Sequence, residues 1–419
     1  MILSPGSSGW ISKYFDFVEK GDLWVSIRNY EELSTLKHYH LTFSRCGINF
    51  GLPTRAIFGH RLDTGHWTRQ EKLKVLLMEA HLFVHLKSGG ELDKDEFIES
   101  LLVFYGDHNA RTHKKLLSLF IKEKNESKLE KILDKRLDIK LNLFENKWWV
   151  NSLNNAFVYL DVILYHDFLS NESENAIAQY SSFAQNALTA ITLSSYADGK
   201  ITQKERDIFN VFLASANLTD EQRDIAEKKF ENGATLDDLD DFIHDHWLLK
   251  RFLLDISILT VFSNFEADES EREFIDQLRK HIDIPEKELD ETIMFIQNFI
   301  ITNQAESEFL NDAPSYERVY GNFLNRWKKV LTRNKEKLAI ELGESKELVA
   351  LMKKSMVEDL TPEERVKVRA QLKDVLKSMP AVAIFLIPGG SLLLPMMVKI
   401  IPDILPSAFK DNEIEEPED

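Results

Sequence analysis

The chain has 419 residues, 43% hydrophobic and 29% charged, with a formal net charge of −17. It is long enough for two or three domains at ~150 residues each and apolar enough to bury real cores, which excludes a chain disordered throughout. The negative balance argues against direct DNA binding, which needs a basic face. The single cysteine, Cys46, excludes an intramolecular disulfide and a Cys-based zinc site, and fits a reducing compartment.

The first residues, Met1-Ile2-Leu3-Ser4-Pro5-Gly6, carry no basic n-region and no apolar h-region. No signal peptide is expected, and the bulk of the chain should be cytoplasmic. From there, helical punctuation dominates. Thr68-Arg69-Gln70-Glu71 is a capping box opening an apolar-periodic run to Lys87, closed by Gly89-Gly90. Asp93 with Glu96, and Asn217 to Gln222, predict two more helix starts. Thr361-Pro362-Glu363-Glu364 places an N-cap, a proline at N1 and an acid at N3. Period-2 alternation is scarce. A short extended stretch is allowed around Leu41 to Phe50, but no sheet is expected.

Residues 1–165 read as a helical domain of unknown type. His81 and His85, at i and i+4, share a helix face and could grip zinc, although Glu79 is not where the base of HExxH would be. Buried, hydrogen-bonded histidines are the plainer reading. His38 with His40, and His244 with His246, are i, i+2 pairs that would face apart on helices. Cys46 beside Arg45 reads as core filler before it reads as a reactive thiol. Trp148-Trp149 read as core packing before they read as an interfacial pair. No GxxxxGK[ST], GxGxxG or GxSxG occurs, and no catalytic constellation assembles, so the protein is expected not to be an enzyme.

Residues 170–310 form a second helical unit with an internal repeat. Tyr196-Ala197-Asp198-Gly199-Lys200-Ile201 precedes Glu205-Arg206-Asp207-Ile208-Phe209. Seventy residues on, Phe265-Glu266-Ala267-Asp268 precedes Glu271-Arg272-Glu273-Phe274-Ile275. Each copy has an aromatic, Ala-Asp, a turn, then Glu-Arg-acid opening an apolar helix. This pattern resembles the tellurite-resistance TerB-like helical domain over about 110 residues. The first turn also reads as half an EF-hand: on a loop beginning at Ser194, Asp198 takes position 5, Gly199 position 6 and Glu205 position 12. Ser194 and Tyr196 stand where carboxylates should be. Two readings stay open. In one, Asp198 caps, Gly199 supplies a positive φ and Glu205 lies in a first helical turn. In the other, a divalent cation, the only candidate cofactor, is shared by Asp198, Glu205, Asp268 and Glu271.

Residues 315–410 turn basic and then apolar. From Arg318 to Lys377 there are 15 Lys and Arg against nine Asp and Glu, a balance of +6. Pro380 to Val398 holds no charged residue over 19 positions, ~28 Å as a helix, close to a hydrocarbon core. Pro388-Gly389-Gly390 and Pro395 break it, so a broken span, a re-entrant hairpin or a buried core segment is expected. The preceding cations would be drawn to an anionic leaflet, at ~1 kcal/mol each, unless they are paired on helix faces. The tail, residues 411–419, is acidic and expected to be disordered.

Leu393-Leu394-Pro395 and Lys399-Ile400-Ile401-Pro402-Asp403-Ile404-Leu405-Pro406-Ser407-Ala408-Phe409, with Pro380, Phe385 and Pro388 upstream, resemble the signature of the Letm family of inner-membrane proteins. The resemblance covers about 30 residues, or 60 with the basic helix. It implies a membrane segment there, and either ribosome binding or cation/proton exchange. In the family a helical ribosome-binding region follows the motif, where this chain has ten residues after Phe409. An all-α, multi-domain protein is therefore expected, with a TerB-like bundle and a C-terminal broken membrane helix or hairpin. The favoured function is a membrane-anchored scaffold that recruits a partner such as the ribosome, with ion homeostasis by cation/proton exchange as the alternative. Exchange is disfavoured because no ionisable residue lies between Pro380 and Val398. It would need a homo-oligomer packed at Gly389, Gly390 and Ser391. The combination of the two resemblances suggests a bacterial inner membrane and an envelope-stress role.

Overall fold

The computed structural model describes residues 1–27, 34–106, 124–137, 155, 157–171, 176–261, 269–302, 324–325, 327–329, 331–377, 397, 400–402 and 404–405. Among the described residues every regular element is helical and no strand occurs. The chain divides near residue 300 into two compact units.

The first unit holds α1 (Trp10–Glu19), α2 (Thr35–Cys46), α3 (Arg69–Lys87), α4 (Lys94–Phe104), α5 (Asn125–Arg136), α6 (Val158–Asn171), α7 (Tyr180–Ser195), α8 (Gln203–Ser215), α9 (Asp220–Asn232), α10 (Trp247–Val261), α11 (Glu269–His281) and most of α12 (Glu286–Thr302). Its centre is built from helices covered on all sides. In α3 every residue from Leu73 to His85 is buried. In α10 every residue but Trp247 and Lys250 is buried. A helix with no solvated face belongs in the interior. Accordingly α3 packs on α6, α6 on α7 and α7 on α10, with α2 against both α3 and α10.

Burying whole helices buries their polar residues, and each acid found there has donors, as it must. Glu79 of α3 is fully buried and accepts from the Tyr14 hydroxyl at 2.7 Å and from the backbone N–H groups of Ile57, Phe58 and Gly59 at 2.5–3.1 Å. Asp161 of α6 accepts from Arg136 Nε at 2.7 Å and from the Tyr105 hydroxyl at 3.0 Å. The Arg136 guanidinium also lies 4.3 Å from the Tyr180 ring centre. Asp255 of α10 meets His40 Nε2 at 2.9 Å and Asn49 Nδ2 at 3.0 Å. The contact of His40 with Asp255 joins α2 to α10 across the 165–170 position where the sequence suggests a domain boundary. Glu130 of α5 accepts from the N–H groups of Gly9 and Ile11 at 2.9 and 3.0 Å. It supplies in trans the cap that Gly9 itself cannot give to α1.

The stretch Leu41 to Phe50 is not extended. It completes α2, and Gly47, at φ 78°, stops the helix before a 3-10 turn at Ile48–Phe50. The extended reading failed because polar His40, Thr42 and Ser44 alternate with apolar Leu41 and Phe43, a period of two that arises here from burying polar His40 and Ser44 in a helix. His81 and His85 are buried and hydrogen-bonded. His81 Nδ1 lies 2.8 Å from the Leu77 carbonyl, and His85 Nδ1 lies 3.3 Å from the Tyr165 hydroxyl. Burial pushes the His81 imidazole down to about 4. His38 packs edge-on to Phe83, while His40 reaches Asp255, so that pair does face apart. Cys46 is buried, donates to the Phe43 carbonyl, and is pushed by burial up to about 12, which makes it an inert thiol. Trp148 and Trp149 lie outside the described residues.

In the second unit, α13 (Lys335–Glu344), α14 (Lys346–Val357) and α15 (Pro362–Lys377) pack on one another. Leu338, Leu342, Leu348, Met352, Val368, Leu372 and Leu376 are buried at 0–2% exposure. The predicted capping box forms at the start of α15. The Thr361 N–H donates to Glu364 at 2.9 Å, and the Glu364 N–H donates to Thr361 Oγ1 at 3.2 Å.

Candidate functional site

Three places carry the residues singled out in the sequence. The first is the turn joining α7 to α8. α7 ends at Ser195, the chain turns through Tyr196 to Ile201, and Gly199 holds φ 77°. Asp198 Oδ1 accepts from the Lys200 N–H at 2.8 Å, which fixes the turn rather than capping a helix. The cap of α8 is Thr202, missed in the sequence although Thr202 and Glu205 repeat the spacing recognised at Thr68 and Glu71. The Thr202 N–H donates to Glu205 at 2.6 Å, and the Glu205 N–H donates to Thr202 Oγ1 at 3.3 Å. Glu205 is buried, which pushes its carboxyl up against the pull of the Thr202 bonds, with Asp198 adding to the rise.

Glu271 is buried in the first turn of α11, and Asp268 lies outside the described residues. Among the described residues, no three His, Cys, Asp or Glu side chains come together in a way that would hold a metal ion. Gly199 is the backbone requirement of the turn. A Cβ there meets nothing within 4 Å, so its replacement by alanine is penalised only by the positive φ. Gly199→Ala should cost about 1–2 kcal/mol and Gly199→Asn distinctly less. Equal urea midpoints for wild type and both variants would refute that assignment.

The second place is a groove in the first unit, where the two copies of the repeat meet. Tyr196 and Ala197, from the end of the first copy's leading helix, line one side. Ser270, Glu273, Phe274 and Gln277 of α11 line the other, and the loop after α9 closes it with Leu236 and Asp237. Its volume is about 500 Å³. The Tyr196 hydroxyl donates to the Phe230 and Glu231 carbonyls at 2.9 and 3.1 Å, so the ring is held in place.

The third place is the C-terminal region. Two of the cations preceding the apolar segment are seen in pairs between helices. Lys354 meets Glu364 at 2.8 Å and Lys367 meets Glu347 at 2.9 Å. Each pairing raises the lysine above its ordinary value and lowers the glutamate, the side-chain hydrogen bond between them being the leading cause. Of the residues in the proline-rich motif, Met397, Ile400, Ile401, Ile404 and Leu405 are buried, at i, i+3, i+4, i+7 and i+8 of a helical stripe, and Pro402 is half-buried. Pro380, Phe385, Pro388, Gly389, Gly390, Leu394, Pro395, Lys399, Pro406, Ser407 and Phe409 lie outside the described residues. Among the described residues no helix is long and apolar enough to cross a membrane.

A family model described as LETM1-like, RBD, matches residues 360–418. A relative among curated proteins is the LETM1 domain-containing protein mdm28, mitochondrial, of Schizosaccharomyces pombe, 32% identical over 101 residues. That alignment covers 24% of this chain and 20% of the relative, so the chain spans about a fifth of the relative's length. The relative is mitochondrial by name, which lends no support to the bacterial inner membrane expected from the sequence. No solved structure matches the chain. The match takes in α15, the motif and residues 410–418 after it, where the resemblance placed the start of the family's ribosome-binding region. Residues 360–418, with their capped basic helix and proline-rich apolar segment, are the LETM1-like part of this chain.

Proposed function

We propose that the protein is a non-catalytic helical scaffold of Letm-like type whose residues 360–418 dock on a ribosome at a membrane. The observation that carries this reading is the LETM1-like, RBD match over residues 360–418. That stretch holds five cations in α15 against three acids, then the uncharged run from Pro380 to Val398. A cationic helix beside an apolar segment suits an interface with ribosomal RNA on one side and lipid on the other. The first unit serves as the scaffold, and its paired helix–turn–helix copies are read as TerB-like.

Co-sedimentation tests this directly. The full-length protein should pellet with ribosomes and float with anionic vesicles, and a chain ending at Met379 should do neither. Ribosome pelleting should weaken several-fold as salt rises from 50 to 200 mM, because phosphate contacts release counterions. Equal behaviour of the two chains in both assays would refute the reading.

A further inference from the structure

We propose that the groove between the end of α7 and the first turns of α11 binds a basic segment of a partner protein, with lysine or arginine side chains lying against Tyr196 and Phe274 beside Asp237 and Glu273. This site is separate from residues 360–418 and does not depend on the reading given to them.

Four observations converge on a cationic peptide. The groove has a volume of about 500 Å³, within the ~300–1,000 Å³ of ligand clefts. Its lining includes two carboxylates, Asp237 and Glu273, and no Lys, Arg or His. Among the described residues neither carboxylate is ion-paired, and Glu273 has only a 3.4 Å bond from the Gln277 amide. The walls also carry two aromatic rings, the Tyr196 ring being fixed through its hydroxyl. An aromatic face flanked by carboxylates attracts a cation twice over, and Leu193, Ala197 and Leu236 give the aliphatic stem of the side chain apolar surface to cover.

Other ligands fit less well. A phosphate or nucleic acid would meet only negative charge. A divalent ion would find two acids where it wants six to eight oxygens. A neutral apolar ligand would leave both carboxylates against it in an open site. The groove is built from both copies of the repeat, so the pairing of the copies shapes a surface that neither has alone.

The test uses the full-length protein and fluorescein-labelled octalysine, read by fluorescence anisotropy. Asp237→Lys/Glu273→Lys should weaken binding by about tenfold or more, since attraction becomes like-charge repulsion. Asp16→Lys/Glu19→Lys, an equal change of charge on exposed residues of α1, should weaken it no more than about twofold. Phe274→Ala should weaken it roughly two- to fivefold. Circular dichroism melts of each variant separate lost binding from lost fold. Equal weakening by the two double reversals would show attraction to the whole acidic surface and overturn the proposal. So would calcium binding in calorimetry that the groove reversal abolishes while octalysine binding stays unchanged.

Discussion

Replacing Glu79 with alanine should destabilise the first unit by about 3–5 kcal/mol, among the largest effects of any single substitution in it. The carboxylate is fully buried and is the shared acceptor for one hydroxyl and three consecutive backbone N–H groups. Without it, four donors face a cavity, and an unsatisfied buried donor costs ~1–3 kcal/mol.

Glu79→Gln keeps the volume and one carbonyl oxygen but turns an amide N–H₂ toward backbone N–H groups, so it should recover only part of the loss. Burial pushes the Glu79 carboxyl up, against the opposing pull of its donors. A group raised on folding gives its full stability below its unfolded value, near 4.5, and loses it as pH rises through its folded value. The gap between wild type and Glu79→Gln should therefore narrow from pH 4 to pH 7. Urea titration followed by hydrogen exchange of α3 peptides reads both effects, and an unchanged α3 midpoint in Glu79→Ala would rule the assignment out.

Asp161→Ala is expected to cost a similar amount, about 3–5 kcal/mol, for a different reason. It leaves the Arg136 guanidinium, only 13% exposed, without its counter-charge, and it removes the acceptor for Tyr105. The cost lies in the orphaned cation rather than in the pair itself, since a buried pair roughly breaks even against well-packed apolar residues. Asp161→Leu combined with Arg136→Met should therefore be more stable than Asp161→Ala alone. A double-mutant cycle measured by urea unfolding gives the coupling, and additive losses would refute it.

How much of this was legible depended on distance along the chain. Helix starts were readable where the capping residues lie three apart, as at Thr68 with Glu71 and Thr361 with Glu364. Gly199 was readable because an Ala-Asp-Gly turn between apolar runs demands a positive φ. Thr202 was overlooked because Asp198, four residues earlier, offered a competing cap. The partners of the buried acids left no local trace: His40 and Asp255 are 215 residues apart, and Tyr14 and Glu79 are 65 apart. The groove was hidden for the same reason: the repeat was legible, but not that Tyr196 of one copy and Phe274 of the other would line one cleft. In the C-terminal region the long proline-rich pattern pointed to the LETM1-like match, which also takes in α15 upstream of it.

The cap on α1 has a consequence for biosynthesis. Gly9 and its acceptor Glu130 are separated by 121 residues. At ~5–20 residues per second, the carboxylate is made roughly 6–24 s after the helix it completes. During that interval α1 has free N-terminal donors, and Trp10, Ile11 and Phe15 have not yet met their full set of neighbours. The nascent chain must therefore carry α1 without its cap while roughly a third of the first unit is made. Chaperones that hold short apolar helices would find their target there, at the stage before α5 emerges.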